Sequence, residues 1–280
     1  MRYFLFTLFL LSILNANFSN LVIKEGINNL LNYPDIKRNY NVLKSLNVSL
    51  LGFKEGKYSW YLFLVTNPKH PQGPFWFLPH DNENSAFDSA VYAIKKYGGG
   101  FLSLVNGDKR YNINQDPNRN FSLNSTKEPS CKFQKSASPI YTFRIMQIIN
   151  SYKAPNMPYL TLHNNTNRGG ISILKKSSST KSYSPYSKKE ILKAKGLADE
   201  DNLVYIAGTS PNPPLSKIKK LLNMGLNVKY EYVTAKNNDC SLSNFIILNY
   251  GNNYYNIEAE HGKSKIQKIM IDRLMQIIRD

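Results

Sequence analysis

Apolar positions along the chain follow two rhythms, a short continuous run and a spacing of three or four. Residues 59–66 (SWYLFLVT) form an apolar run of strand length, and 67–74 hold the Pro and Gly residues of a loop. Residues 75–78 predict a second strand, ending at Pro79-His80. Ala86, Phe87, Ala90, Val91 and Ile94 then recur at helical spacing, and Gly98-Gly99-Gly100 stops the helix. Further strands are expected at 101–105, 158–162, 204–207, 228–233, 245–249 and 254–259, and helices at 140–149 and 215–223. Ile266, Ile269, Met270, Leu274, Ile277 and Ile278 mark one face of a closing amphipathic helix. Strands and helices alternate, so the class is α/β, and there is no internal repeat. Residues 20–52 give no sharp assignment, and 175–189 (KKSSSTKSYSPYSKK) read as a mobile basic surface loop.

The N-terminus stands outside that pattern. Arg2 precedes an apolar run over 4–14, and Asn15-Ala16-Asn17-Phe18-Ser19 come next. This is the layout of a secretory signal, too short for a stable membrane span. Residues 1–19 are read as the signal, cleaved after Ala16 or Ser19, and 20–280 as one domain with no membrane span in the mature chain. A periplasmic or secreted protein is expected. Of the 280 residues 42% are hydrophobic and 12% aromatic, enough to fill the core of one large domain. Cys131 and Cys240 are either a disulfide or two buried thiols. A disulfide closing a loop of about 110 residues would contribute roughly 4 kcal/mol in the chain-entropy model. Two cysteines are too few for a Cys-based zinc site.

Lys and Arg outnumber Asp and Glu by 36 to 19, a net charge of +17. Such an excess attracts anionic partners such as cell-envelope polymer, although much of it belongs to solvated surface. No aromatic-basic RNA motif or zinc finger is present, so no specific nucleic acid is expected.

The chain has four histidines, at 70, 80, 163 and 261. His80 and Glu83 form His-x-x-Glu where a strand meets a helix, a spacing that lets both side chains point at one ion. His163 at the end of another expected strand completes a His₂Glu set, with a fourth position open to water. Between them lie Arg110-Tyr111 and Asp116-Pro117-Asn118-Arg119-Asn120-Phe121, and near the end Ile257-Glu258-Ala259-Glu260-His261-Gly262. In order and context this series resembles the zinc carboxypeptidase superfamily, and most closely its succinylglutamate desuccinylase/aspartoacylase branch. The motifs run from 80 to 263, about two-thirds of the chain. The sequence departs from the pattern at Pro117, where Leu is usual, and at Thr161, where an Asp often stands.

The resemblance implies a single zinc-carboxypeptidase-like domain with a central mixed sheet flanked by helices. It implies zinc (Zn2+) on His80, Glu83 and His163, Arg110 as oxyanion stabiliser, and Asn118 and Arg119 as the grip on a substrate carboxylate. The general base is Glu258 or Glu260, with a slight lean to Glu260 because of the nearby Gly. His261 and His70 are expected to play no part.

Three functions are expected from these residues. The first is an exported metallocarboxypeptidase or amidase cleaving an amide beside a free carboxylate, in a peptide or muropeptide. The second is an N-acyl amino acid amidohydrolase, and the third a non-catalytic basic binding protein of the cell envelope.

Overall fold

The computed structural model describes residues 19–251 and 253–279; the expected signal lies almost wholly outside them. Among the described residues ten strands form one sheet: β1 (Val22–Glu25), β2 (Asn47–Glu55), β3 (Tyr58–Thr66), β4 (Phe75–Leu78), β5 (Gly100–Val105), β6 (Tyr159–Asn165), β7 (Thr180–Tyr183), β8 (Leu203–Gly208), β9 (Asn227–Tyr232) and β10 (Tyr254–Glu260). Their order is β1-β2-β3-β5-β4-β6-β10-β8-β9-β7. The centre is parallel, β5 with β4, β4 with β6 and β6 with β10. The flanks are mixed, with β3 antiparallel to β5 and β8 antiparallel to β10. The expected α/β class with a central mixed sheet and flanking helices is what the chain forms.

Strands at the centre are covered on both faces, which is why β4 (FWFL) and β5 (GFLSLV) are buried at every position. One face carries helices Asn84–Tyr97, Leu215–Asn223 and Ser264–Arg279 over a core including Trp76, Phe87, Phe101, Ile257 and Leu274. The other carries Pro139–Tyr152 and Leu242–Tyr250 over Trp60, Phe77, Phe121, Tyr141 and Phe245. The chain leaves the first helix through Gly98 and Gly99, both at positive φ; a Cβ on Gly99 would meet the Pro74 carbonyl oxygen at 2.0 Å. No helix among the described residues is long and apolar enough to cross a membrane.

Two expectations are corrected. Residues 245–249 are not a strand but part of the helix Leu242–Tyr250, capped by the Ser241 side chain. The run is short and apolar, so it looks like a strand, while Leu242, Phe245 and Ile246 in fact repeat at helical spacing. Residues 175–189 are not a structureless loop. They contain β7, which pairs antiparallel with β9 from Thr180↔Glu231 to Tyr183↔Val228. An edge strand needs only backbone partners, so its Ser and Lys side chains face solvent and hide it in the sequence. Cys131 and Cys240 form a disulfide across 109 residues, with Cα atoms 5.4 Å apart. A disulfide fits a non-cytoplasmic, oxidising compartment.

Candidate metal centre

The parallel strands β4, β6 and β10 end on one side of the sheet, where open α/β sheets place their ligands. β4 ends at Leu78 and hands over to His80. The next residue, Asp81, accepts hydrogen bonds from the Asn106 and Asp108 backbone N–H groups at 2.6 and 2.7 Å, tying this turn to the one after β5. Glu83 is the N-cap residue of the helix Asn84–Tyr97, but its side chain makes no capping bond. Its carboxylate turns instead to the imidazoles. Oε1 lies 2.7 Å from His80 Nδ1 and Oε2 lies 3.2 Å from His163 Nδ1. His163 comes from within β6, which runs further than expected, to Asn165. All three residues are buried.

The donor set fits a metal ion. One ligand atom from each of His80, Glu83 and His163 lies within 4.8 Å of the others. A tetrahedral zinc with bonds of about 2.0–2.2 Å holds its ligand atoms roughly 3.4 Å apart, inside the 4.8 Å span of these three. Burial works against a charge on Glu83, but the adjacent imidazoles of His80 and His163 hold its carboxyl well below the usual range. Burial likewise opposes protonation of His80, yet Glu83 and Asp116 raise its pKa overall. A cation would take the place of the protons these contacts share.

Asp116 is the functional residue that sequence reasoning passed over, although it stands in the Asp-Pro-Asn-Arg motif. Its Oδ1 lies 2.9 Å from His80 Nε2. That contact favours a proton on Nε2, so a cation at the centre would meet the Nδ1 lone pair. The same oxygen accepts from the Asn118 N–H at 2.9 Å. Asn164 is a second omission: its N–H donates to Glu83 Oε2 at 2.9 Å, and its side chain accepts from the Ala86 N–H and donates towards Gln267. It thus locks β6 to both helices beside the centre. A polar residue directly after a ligand His was the one signal of it in the sequence.

The other expected residues are only partly brought together. Arg110, partly exposed, donates to Glu83 Oε1 at 3.0 Å and faces Asp116 at 3.6 Å. Asn118 Nδ2 is 3.5 Å from His163 Nε2, while its Oδ1 accepts from the Leu242 N–H. Arg119 donates to the Asn118 carbonyl at 2.7 Å and pairs with Asp239 at 3.3 Å. The Cys131–Cys240 bridge and the Phe121 N–H bond to the Cys240 carbonyl hold the two loops carrying that pair together. Arg119 and Asp116 open on a cleft of about 750 Å³, also walled by Lys57, Lys135, Tyr111 and Phe133.

The two late carboxylates part company. Glu258 is the register partner of His163 across β6 and β10. Burial raises its pKa, with Glu83 adding and His163 opposing, and its Oε1 accepts from Asn256 at 2.8 Å. Glu260 instead joins Asp199 and Asp201, away from the imidazoles. His70 and His261 are exposed.

No family model and no curated protein sequence matches this chain. Solved structures show a partial likeness to it. A proposed metallopeptidase from Shewanella amazonensis SB2B is 15% identical, with a TM-score of 0.48 over 87% of this chain and 93% of that one. An aspartoacylase family protein from Mesorhizobium loti is 13% identical, TM-score 0.44, over 84% and 67%. Bovine thrombin-activatable fibrinolysis inhibitor, solved with a tick carboxypeptidase inhibitor, is 11% identical, TM-score 0.44, over 91% and 97%. Function has to be read from the chain's own side chains.

Proposed function

We propose that this protein is an exported zinc metallohydrolase of carboxypeptidase type, cleaving an amide beside a free carboxylate in a peptide or cell-wall peptide. The observation that carries the reading is the convergence of His80, Glu83 and His163, with Asp116 placed against His80 Nε2. Imidazole and carboxylate donors in a three-ligand set suit catalytic zinc. Zinc supplies Lewis acidity there, acidifying a water and polarising a carbonyl.

The chain's residues do the rest. Glu258, buried with a raised pKa, accepts the proton from the attacking water and returns it to the departing amine. Arg110, at the mouth of the site, donates to the carbonyl oxygen as negative charge grows on it. Arg119, flanked by Lys57 and Lys135, holds the substrate carboxylate, which displaces Asp239 from one edge of the guanidinium fork. The disulfide and the N-terminal signal pattern support work in the periplasm or outside the cell.

The test is a panel of peptides, muropeptides and N-acyl amino acids, each as free acid and as amide, incubated with zinc-loaded protein and read by mass spectrometry. Acids should be cleaved in preference, because an amide carries no charge with which to displace Asp239 and engage Arg119. Arg119→Lys should lose most of that preference with zinc content unchanged. Equal cleavage of acids and amides by the wild type overturns the carboxypeptidase reading. Cleavage confined to N-acyl amino acids points to the amidohydrolase instead, and no cleavage with no zinc to a binding protein.

A further inference from the structure

Beyond the imidazole centre lies a second buried cluster, acidic and short of counter-charge. Asp199, Glu200, Asp201 and Glu260 are between 0% and 7% exposed. Asp199, Asp201 and Glu260 each offer an oxygen within 4.8 Å of the others. Their hydrogen bonds come from backbone N–H groups and one hydroxyl: Asp201 N–H to Asp199, Arg168 N–H and Ser172 to Asp201. Among the described residues, the one ion pair to any of the four is Lys263 with Glu260, at 3.9 Å, from a half-exposed side chain. Burial first, then mutual repulsion, raises the pKa of all three clustered carboxyls.

A second observation is independent of that clustering. Three buried acceptor oxygens here have no hydrogen-bond partner: Asp201 Oδ1, Glu200 Oε2 and Asn165 Oδ1. Glu200, 4% exposed, acts electrostatically on Asp199, Asp201 and Glu260 alike. Asn165 is the register partner of Glu260, and its Nδ2 donates to the Asp201 carbonyl at 3.0 Å, which places the residue beside the cluster. Unpaired buried carboxylates and unsatisfied acceptors are expensive. Although the chain has 36 Lys and Arg residues, no basic side chain among the described residues comes nearer to these carboxylates than Lys263 does.

We propose that Asp199, Asp201 and Glu260, assisted by Glu200 and Asn165, bind a calcium ion. The donors are all oxygen and include several carboxylates and an amide, which selects a hard cation with high coordination number over zinc. The ion would tie the 199–202 loop to the ends of β6 and β10, two residues beyond His163 and Glu258. The site does not depend on the hydrolase reading.

The test is calorimetric titration of calcium chloride into the full chain, stripped of calcium but zinc-loaded, with thermal unfolding alongside. One ion per chain should bind with a Kd below about 1 mM, and about 5 mM calcium should raise Tm by several degrees. Asp201→Asn and Glu260→Gln should each weaken binding at least ~10-fold, while His163→Ala leaves calcium affinity unchanged. Should either cluster variant fail to fold, the wild-type titration still decides. No heat and no Tm shift up to about 5 mM calcium overturns the proposal. So does calcium affinity unchanged in both cluster variants, or lost in His163→Ala.

Discussion

Replacing Asp116 by Asn removes one charge and almost no volume, and it isolates what holds His80 as a ligand. Asp116 Oδ1 serves two donors, His80 Nε2 and the Asn118 N–H, both at 2.9 Å. An Asn oxygen in the same place can accept both bonds, so the turn survives. A flipped amide would set its NH₂ against both donors, and the unflipped one sets it towards Arg110, 3.6 Å from Oδ2 at present. The remaining loss is the difference between a charged and a neutral acceptor, about 1–2 kcal/mol per hydrogen bond. The His80 proton is then held less firmly on Nε2, and the Nδ1–H tautomer, which cannot ligate, gains population. Zinc affinity should therefore fall about 10- to 30-fold, inside the range typical of such partners of metal-bound His. Competition with a chromophoric chelator measures it, with circular dichroism confirming the fold. Affinity within about a factor of two of wild type, under 0.5 kcal/mol, would refute the tautomer argument.

Glu258→Gln should cut turnover at least ~100-fold with zinc retained, because it removes the proton acceptor beside His163. Glu260→Gln should leave most turnover intact; the reverse ranking in steady-state rates would return the base to Glu260. Reducing the Cys131–Cys240 bridge should cost about 2–5 kcal/mol in denaturant unfolding, and an unchanged midpoint would show that the bridge adds no stability.

His80 and Glu83 were legible because a three-residue spacing at a strand end is itself a geometry, and His163 because a strand aimed it. Glu258 and Glu260 could not be separated from the sequence. Alternation along β10 puts both on one side, and only the approach of the 199–202 loop gives Glu260 different neighbours from Glu258. Asp116 was missed because its role is a contact with His80 across 36 residues. The central strands announced themselves by continuous apolar runs. The same signal misassigned the buried helix Leu242–Tyr250, and its absence concealed β7. Composition left the disulfide open because pairing depends on how the 121–134 and 239–242 loops meet, and no local pattern encodes that.

The central claim is that His80, Glu83 and His163 hold a catalytic zinc, and elemental analysis of purified protein tests it most directly. Wild type should carry about one zinc per chain, while His80→Ala and His163→Ala, folded by circular dichroism, should carry almost none. Equal zinc in wild type and both variants would contradict the assignment.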